Sequence, residues 1–148
     1  QLRNRETIME TLRIIGLIVA WALSIFAAFG FFKAGKFKLT ASKETLLAAG
    51  FGWVKNLPLG VVRLVALLEL LGAAGVILAP IASEFLGLAW AQVWGVAAAS
   101  GLALTMLVAA AMHIIRGEFK YTYKANLGLF FASLVAAVLL AAFGAPLF

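Results

Sequence analysis

Two stretches of this chain carry ionisable side chains inside sequence that is otherwise suited to lipid. Residues 63–80 read RLVALLELLGAAGVILAP, apolar throughout but for Arg63 and Glu69. Residues 97–118 read AAASGLALTMLVAAAMHIIRGE and end on His113, Arg116 and Glu118, with Thr105 further back. A carboxyl and an imidazole can exchange protons, and a guanidinium or imidazole N–H can donate to a carbonyl oxygen. Gathered in a water-poor setting, such groups form a polar pocket able to hold a small carbonyl-bearing molecule and to pass a proton.

Each stretch can cross a hydrocarbon core of about 30 Å as a helix of roughly 20 residues. Glu69 then lies about ten residues in, near the midplane, where a carboxylate costs roughly 2.5–3.5 kcal/mol on insertion scales. That cost calls for a basic partner or for a carboxyl that keeps its proton. On a helical wheel Glu69 shares a face with Val62, Val65, Gly72, Ala73 and Val76. The small residues one turn on admit a neighbouring helix, so the face is expected to point inward. Arg63 is about 120° round and roughly 9 Å away along the axis, placed either to lean toward Glu69 or to snorkel outward.

The following helix returns antiparallel, and counting turns sets His113 opposite Arg63 and Thr105 roughly opposite Glu69. Gly101, Thr105, Ala109 and His113 recur at spacing four as a small-residue seam. Asn126 opens the last apolar stretch at the same level, where Lys33 is a further candidate. One end of the fold is thus expected to gather Arg63, Glu69, Thr105, His113, Arg116, Glu118 and Asn126 as a ligand-binding set. No metal site is expected, because no cluster of His, Asp and Glu has ligand spacing.

The elements that must position these residues are four apolar stretches near Leu12–Phe32, Leu59–Leu78, Ala91–Ile115 and Asn126–Phe143. Of 148 residues, 65% are hydrophobic and 12% charged, and the mean hydropathy is +1.09. Soluble domains are closer to half and a quarter, so the composition is that of an integral membrane protein. Barrel strands alternate polar and apolar residues over roughly ten positions. These stretches are apolar on every side, and a helix satisfies its own backbone in lipid. The expected fold is all-α, a single-domain four-helix bundle over residues 1–148.

Arg3, Arg5 and Arg13 ahead of the first stretch resemble the start of a signal peptide. The run of about 20 residues exceeds a signal core of about 7–15, so a retained helix is expected. Gly35 is the expected stop of that helix. Within the connection from Lys33 to Pro58, SKETLLAAGFGWV offers Ser42 as an N-cap and apolar Leu46, Leu47, Phe51, Trp53 and Val54. It reads as a short interfacial helix or a re-entrant turn. LAPIASEFLG reads as a tight link and RGEFKYTYKAN as a short polar loop, with Trp90, Trp94, Tyr121 and Tyr123 as interface anchors.

The net charge of +6 reads as membrane orientation, with no nucleic-acid partner expected. Lys33, Lys36, Lys38, Lys43 and Lys55 follow the first helix, and Arg116, Lys120 and Lys124 follow the third; only Arg3, Arg5 and Arg13 oppose them. The imbalance puts the first and third loops in the cytoplasm and both termini outside, and a bacterial or archaeal cell membrane is the expected residence. Cysteine is absent, which excludes disulfide shuttling by this chain's own thiols. A single His excludes haem held by two histidines within the chain. No covalently bound cofactor is expected.

Each candidate also has an ordinary explanation. Glu69 would serve as a hydrogen-bonding peg between helices, Arg63 and Arg116 as interfacial anchors, and His113 as a partner of a helix C-terminus. Glu118 would be solvated, and Gly72 and Gly75 packing residues. Convergence of the polar groups at one level favours the pocket.

The chain resembles the DoxX-like family of small four-helix membrane proteins. The resemblance rests on FFKAGKFKL after the first helix, with Ala34, Gly35, Lys38 and Leu39. In the second helix it rests on Arg63, Glu69, Leu70, Gly72 and Pro80, and in the third on Gly101, Leu102, Met106, His113, Arg116, Gly117 and Glu118. It implies a link to quinones or membrane redox, since founding relatives are associated with a thiosulfate:quinone oxidoreductase and others with quinone or thiol stress. Two function classes follow. One is an intramembrane pocket for a quinone or similar lipophilic ligand in a redox-linked role, His113, Arg63 and Glu69 serving the headgroup. The other is a non-catalytic membrane subunit or chaperone-like partner of a larger complex, with a membrane protein or a second copy as its neighbour. The sequence assigns no reaction.

Overall fold

The computed structural model describes residues 1–144. Helix α1 runs over Leu2–Thr40, 39 residues, or about 58 Å at 1.5 Å per residue. It overruns the expected Leu12–Phe32 at both ends. Gly35 does not stop it: a Cβ there would lie 3.0 Å from Cγ of Leu70 and 3.1 Å from the Ala66 carbonyl oxygen. Glycine at this position lets α1 lie close to the next long helix. The buried positions Phe31, Gly35 and Lys38 continue one face of α1 into its last turn.

The connection folds over the end of the bundle. Ser42 caps α2 (Lys43–Ala48) by accepting from the Thr45 N–H at 3.1 Å, as its type and position predict. A 3-10 turn follows at Gly52–Asn56. Leu46 and Val54 are fully buried against Val62, with Phe37 and Phe51 packed around them. Lys43 Nζ donates to the Leu57 carbonyl at 3.0 Å and ties the two ends of the segment together.

Helix α3 (Leu59–Leu86) continues through Pro80 well past Leu78. Residues expected as a link are therefore helical, and only Gly87–Ala89 connect to α4 (Trp90–Ile115). Gly87, at φ +66°, supplies the left-handed residue that ends α3. Gly95 of α4 faces Ala79 and Pro80, so the proline ring is received by a residue without a side chain. Helix α5 (Phe119–Phe143) begins seven residues before Asn126. Gly117, at φ +69°, reverses the chain, and the Glu118 N–H donates to the His113 carbonyl at 2.8 Å. The polar run thus becomes the first turns of a helix.

The four long helices alternate in direction, each packing on two neighbours in the cyclic order α1, α3, α4, α5. Small residues set the contacts, as expected for Gly72 and Gly75. A Cβ on Gly72 would lie 2.6 Å from Leu102 Cδ2, and one on Gly75 would lie 2.8 Å from Ala98 Cβ. The expected seam is displaced, however. Gly101 is exposed and a Cβ there meets nothing among the described residues, because α4 meets α3 through Ala98 and Leu102 instead. Outward, Phe26, Phe29, Leu64, Leu67, Leu71 and Leu107 are exposed. All four long helices are long and apolar enough to span a membrane, where such a surface is satisfied by acyl chains. The end opposite α2 is pinned by Arg13 and the buried Glu84 at 3.3 Å, by Ser83 to the Gly144 carbonyl, and by Gln92 to the Leu140 carbonyl.

Candidate functional site

Lys38 is the last buried residue of α1, and its Nζ donates to Oε1 of Glu69 at 2.6 Å. Both side chains are under one-tenth exposed. Glu69 therefore faces inward, as its helical wheel predicts, and its basic neighbour is a lysine counted in the sequence as an interfacial charge. The signal was present: Phe31, Gly35 and Lys38 fall at spacings of four and three on one helix face, and Lys38 belongs to the Ala-Gly-x-x-Lys-Leu run.

Arg63 does not reach Glu69. Its guanidinium donates to the carbonyls of Lys38 and Ala41, the latter at 2.8 Å. These are carbonyls at the end of α1 with no helical partner of their own, so Arg63 caps that helix from α3. Lys38 consequently joins the two expected residues, its side chain on Glu69 and its carbonyl on Arg63.

Beside the ion pair is a cavity of about 700 Å³. All four long helices line it, and Gly50, Phe51, Trp53 and Leu57 of the capping segment close it above. Of the expected site residues, Glu69, Thr105, His113 and Asn126 line this space, while Arg63, Arg116 and Glu118 do not. Lys33 is exposed. The lining is overwhelmingly apolar, and Leu68, Leu104 and Val108 belong to it while each remains more than half exposed. The cavity thus opens sideways between α3 and α4, toward lipid.

Three lining residues carry a buried polar atom with no hydrogen-bond partner among the described residues: Oε2 of Glu69, Oγ1 of Thr122 and Oδ1 of Asn126. Buried polar groups are nearly always satisfied, and one left unmet costs about 1–3 kcal/mol. Asn126 is held by donating Nδ2 to the Met106 carbonyl at 3.1 Å, which also ties α5 to α4. Thr105 spends its hydroxyl proton on the Gly101 carbonyl at 2.8 Å.

At the mouth, Glu118 is paired and not merely solvated. Its Oε1 accepts from Arg116 Nε at 3.0 Å, and its Oε2 lies 3.3 Å from His113 Nδ1. Burial works against its charge, but the hydrogen bonds from His113 and Arg116 outweigh it and hold the Glu118 carboxyl below its ordinary value. The cluster abuts the capping segment: a Cβ on Gly52 would lie 2.5 Å from Arg116 Nη2 and 3.0 Å from Glu118 Oε1. Among the described residues, no group of three His, Cys, Asp or Glu side chains is arranged to hold a metal ion.

This geometry sits within a stretch that matches a known family description. The DoxX-like family model matches residues 22–143, and so covers every residue of the cavity wall. The chain belongs to the DoxX-like family. Together with its four spanning helices, this makes it a DoxX-like integral membrane protein with an all-α bundle in contact with the bilayer. No curated protein and no solved structure matches the chain. The DoxX-like match begins near the middle of α1, so the first turns of that helix lie outside it.

Proposed function

We propose that the cavity under the capping segment binds a quinone or similar small lipophilic ligand in a redox-linked role. The observation that carries this reading is a buried ion pair facing an apolar space of about 700 Å³ whose wall holds three unpartnered polar atoms. Ligand pockets have this character: about 300–1,000 Å³, mostly apolar, with a few placed polar groups. A ring-sized headgroup fits beside Lys38, Glu69 and Asn126, and an isoprenoid tail fits the opening past Leu68, Leu104 and Val108. This chain's own residues bind and orient the headgroup and hold a proton at Glu69 or Lys38. Electrons come from a partner protein. The Lys-rich end, with the capping segment, faces the cytoplasm.

The test is photolabelling in lipid nanodiscs with an azido-substituted decyl benzoquinone. Label is expected on residues 50–57, 104–113 and 121–129, competed away by unmodified quinone. Label confined to the outer helix faces, or insensitive to competitor, would leave the bundle as a structural subunit and defeat the pocket.

A further inference from the structure

Hydrogen-bond accounting in the cavity wall narrows the ligand further, on the footing of the proposed pocket. Asn126 donates through Nδ2 to the Met106 carbonyl, so the atom it leaves unpartnered is the acceptor Oδ1. Glu69 engages Lys38 with Oε1 and leaves Oε2, which as a carboxylate oxygen only accepts. The single hydroxyl proton of Thr105 is already given to Gly101. His113 Nδ1 lies 3.3 Å from Oε2 of Glu118, which commits that ring nitrogen to the cluster at the mouth. On the other side stand Lys38, with protons beyond its one bond to Glu69, and Thr122, whose hydroxyl gives or takes.

Of the three unpartnered buried oxygens in the wall, two only accept, Oε2 of Glu69 and Oδ1 of Asn126, and the third is the Thr122 hydroxyl. A quinone oxygen only accepts, and next to Oε2 of Glu69 or Oδ1 of Asn126 it sets lone pair against lone pair. A phenolic hydroxyl donates to either oxygen and still accepts from Lys38. We propose that the cavity selects ligands that bring hydroxyl donors, through Oε2 of Glu69 and Oδ1 of Asn126. It therefore holds the hydroquinone more tightly than the quinone of the same headgroup.

The experiment measures equilibrium binding of three probes to the full chain in nanodiscs, against empty nanodiscs. The probes are decyl-1,4-benzoquinone, its hydroquinone kept reduced under argon, and the 1,4-dimethoxy ether of that hydroquinone. The hydroquinone is expected to bind at least about tenfold tighter than either of the others, the usual scale of one buried acceptor gaining a donor. Quinone binding as tightly as hydroquinone, or an ether that does so, overturns the donor requirement while the pocket stands. Binding of none of the three overturns the pocket itself. As a second measurement, Glu69→Gln keeps the shape and replaces Oε2 by an N–H donor. The hydroquinone-to-quinone preference is expected to fall about tenfold, and an unchanged ratio in folded variant protein overturns the proposal.

Discussion

Lys38 and Glu69 make the most decisive perturbation. At 2.6 Å and an effective dielectric near 20, their attraction is about 6 kcal/mol. Withdrawing two ions from water costs several kcal/mol each, so the intact pair adds little net stability. Removing one partner is different, because the attraction goes while the other group stays buried; the expected loss is about 3–5 kcal/mol. Lys38→Met and Glu69→Leu should each show it. Made together, they remove attraction and desolvation alike and should melt within about 1–2 kcal/mol of the wild type. The assay is thermal unfolding in detergent, followed by near-ultraviolet dichroism of the tryptophans. At about 3 °C per kcal/mol for a chain of this size, each single variant should melt about 10–15 °C lower, and the double should recover most of that. Additive losses in the double variant, or single variants that melt with the wild type, would refute a shared buried pair.

Three further outcomes follow from the contacts. Arg63→Met should lower stability by about 2 kcal/mol, the scale of charged hydrogen bonds to helix-end carbonyls. Arg63→Lys should recover only part, because an ammonium lacks the fork that spans two acceptors; hydrogen exchange at residues 38–42 would report the fraying. Gly35→Val should cost about 1–3 kcal/mol by overpacking against the Ala66 carbonyl. Gly52→Ala should cost less than about 1 kcal/mol, since the atoms it meets are the ends of the Arg116 and Glu118 side chains; equal losses in chemical denaturation would contradict this ordering. Glu118 has a pH signature. Its folded-state value lies below its unfolded one, so its contribution is complete above about pH 4.3 and is lost as pH falls through the lower folded value. The melting difference between wild type and Glu118→Gln should accordingly hold at neutral pH and vanish in acid.

Much of the bundle was legible because apolar length and helical period are local properties. Helix α4 was bounded to within one residue, and the Ser42 cap and the inward face of Glu69 follow from residue type and spacing. What misled was composition taken as position. Lysines after an apolar run read as solvated anchors, yet α1 continues past Phe32 and carries Lys38 into the core. Gly35 and Pro80 read as punctuation, yet packing against a neighbouring helix turned both into interior residues. The polar run 116–126 read as loop because hydropathy marks the lipid boundary and not the helix boundary. Arg63 stands six residues from Glu69 in sequence, and nothing local reveals that the free carbonyls of another helix lie nearer. The shared cavity of Glu69, Thr105, His113 and Asn126 was reached by counting turns, whereas the ceiling formed by residues 50–57 depends on how the connection folds back.

One residue has two jobs at the end of α1. The Lys38 side chain answers Glu69 in the cavity floor, while its backbone oxygen receives Arg63. Unwinding that single turn would release both anchors together. Damage or design aimed at this turn acts on the whole chamber, and a proline at Leu39 would disable it without touching any group that faces the ligand.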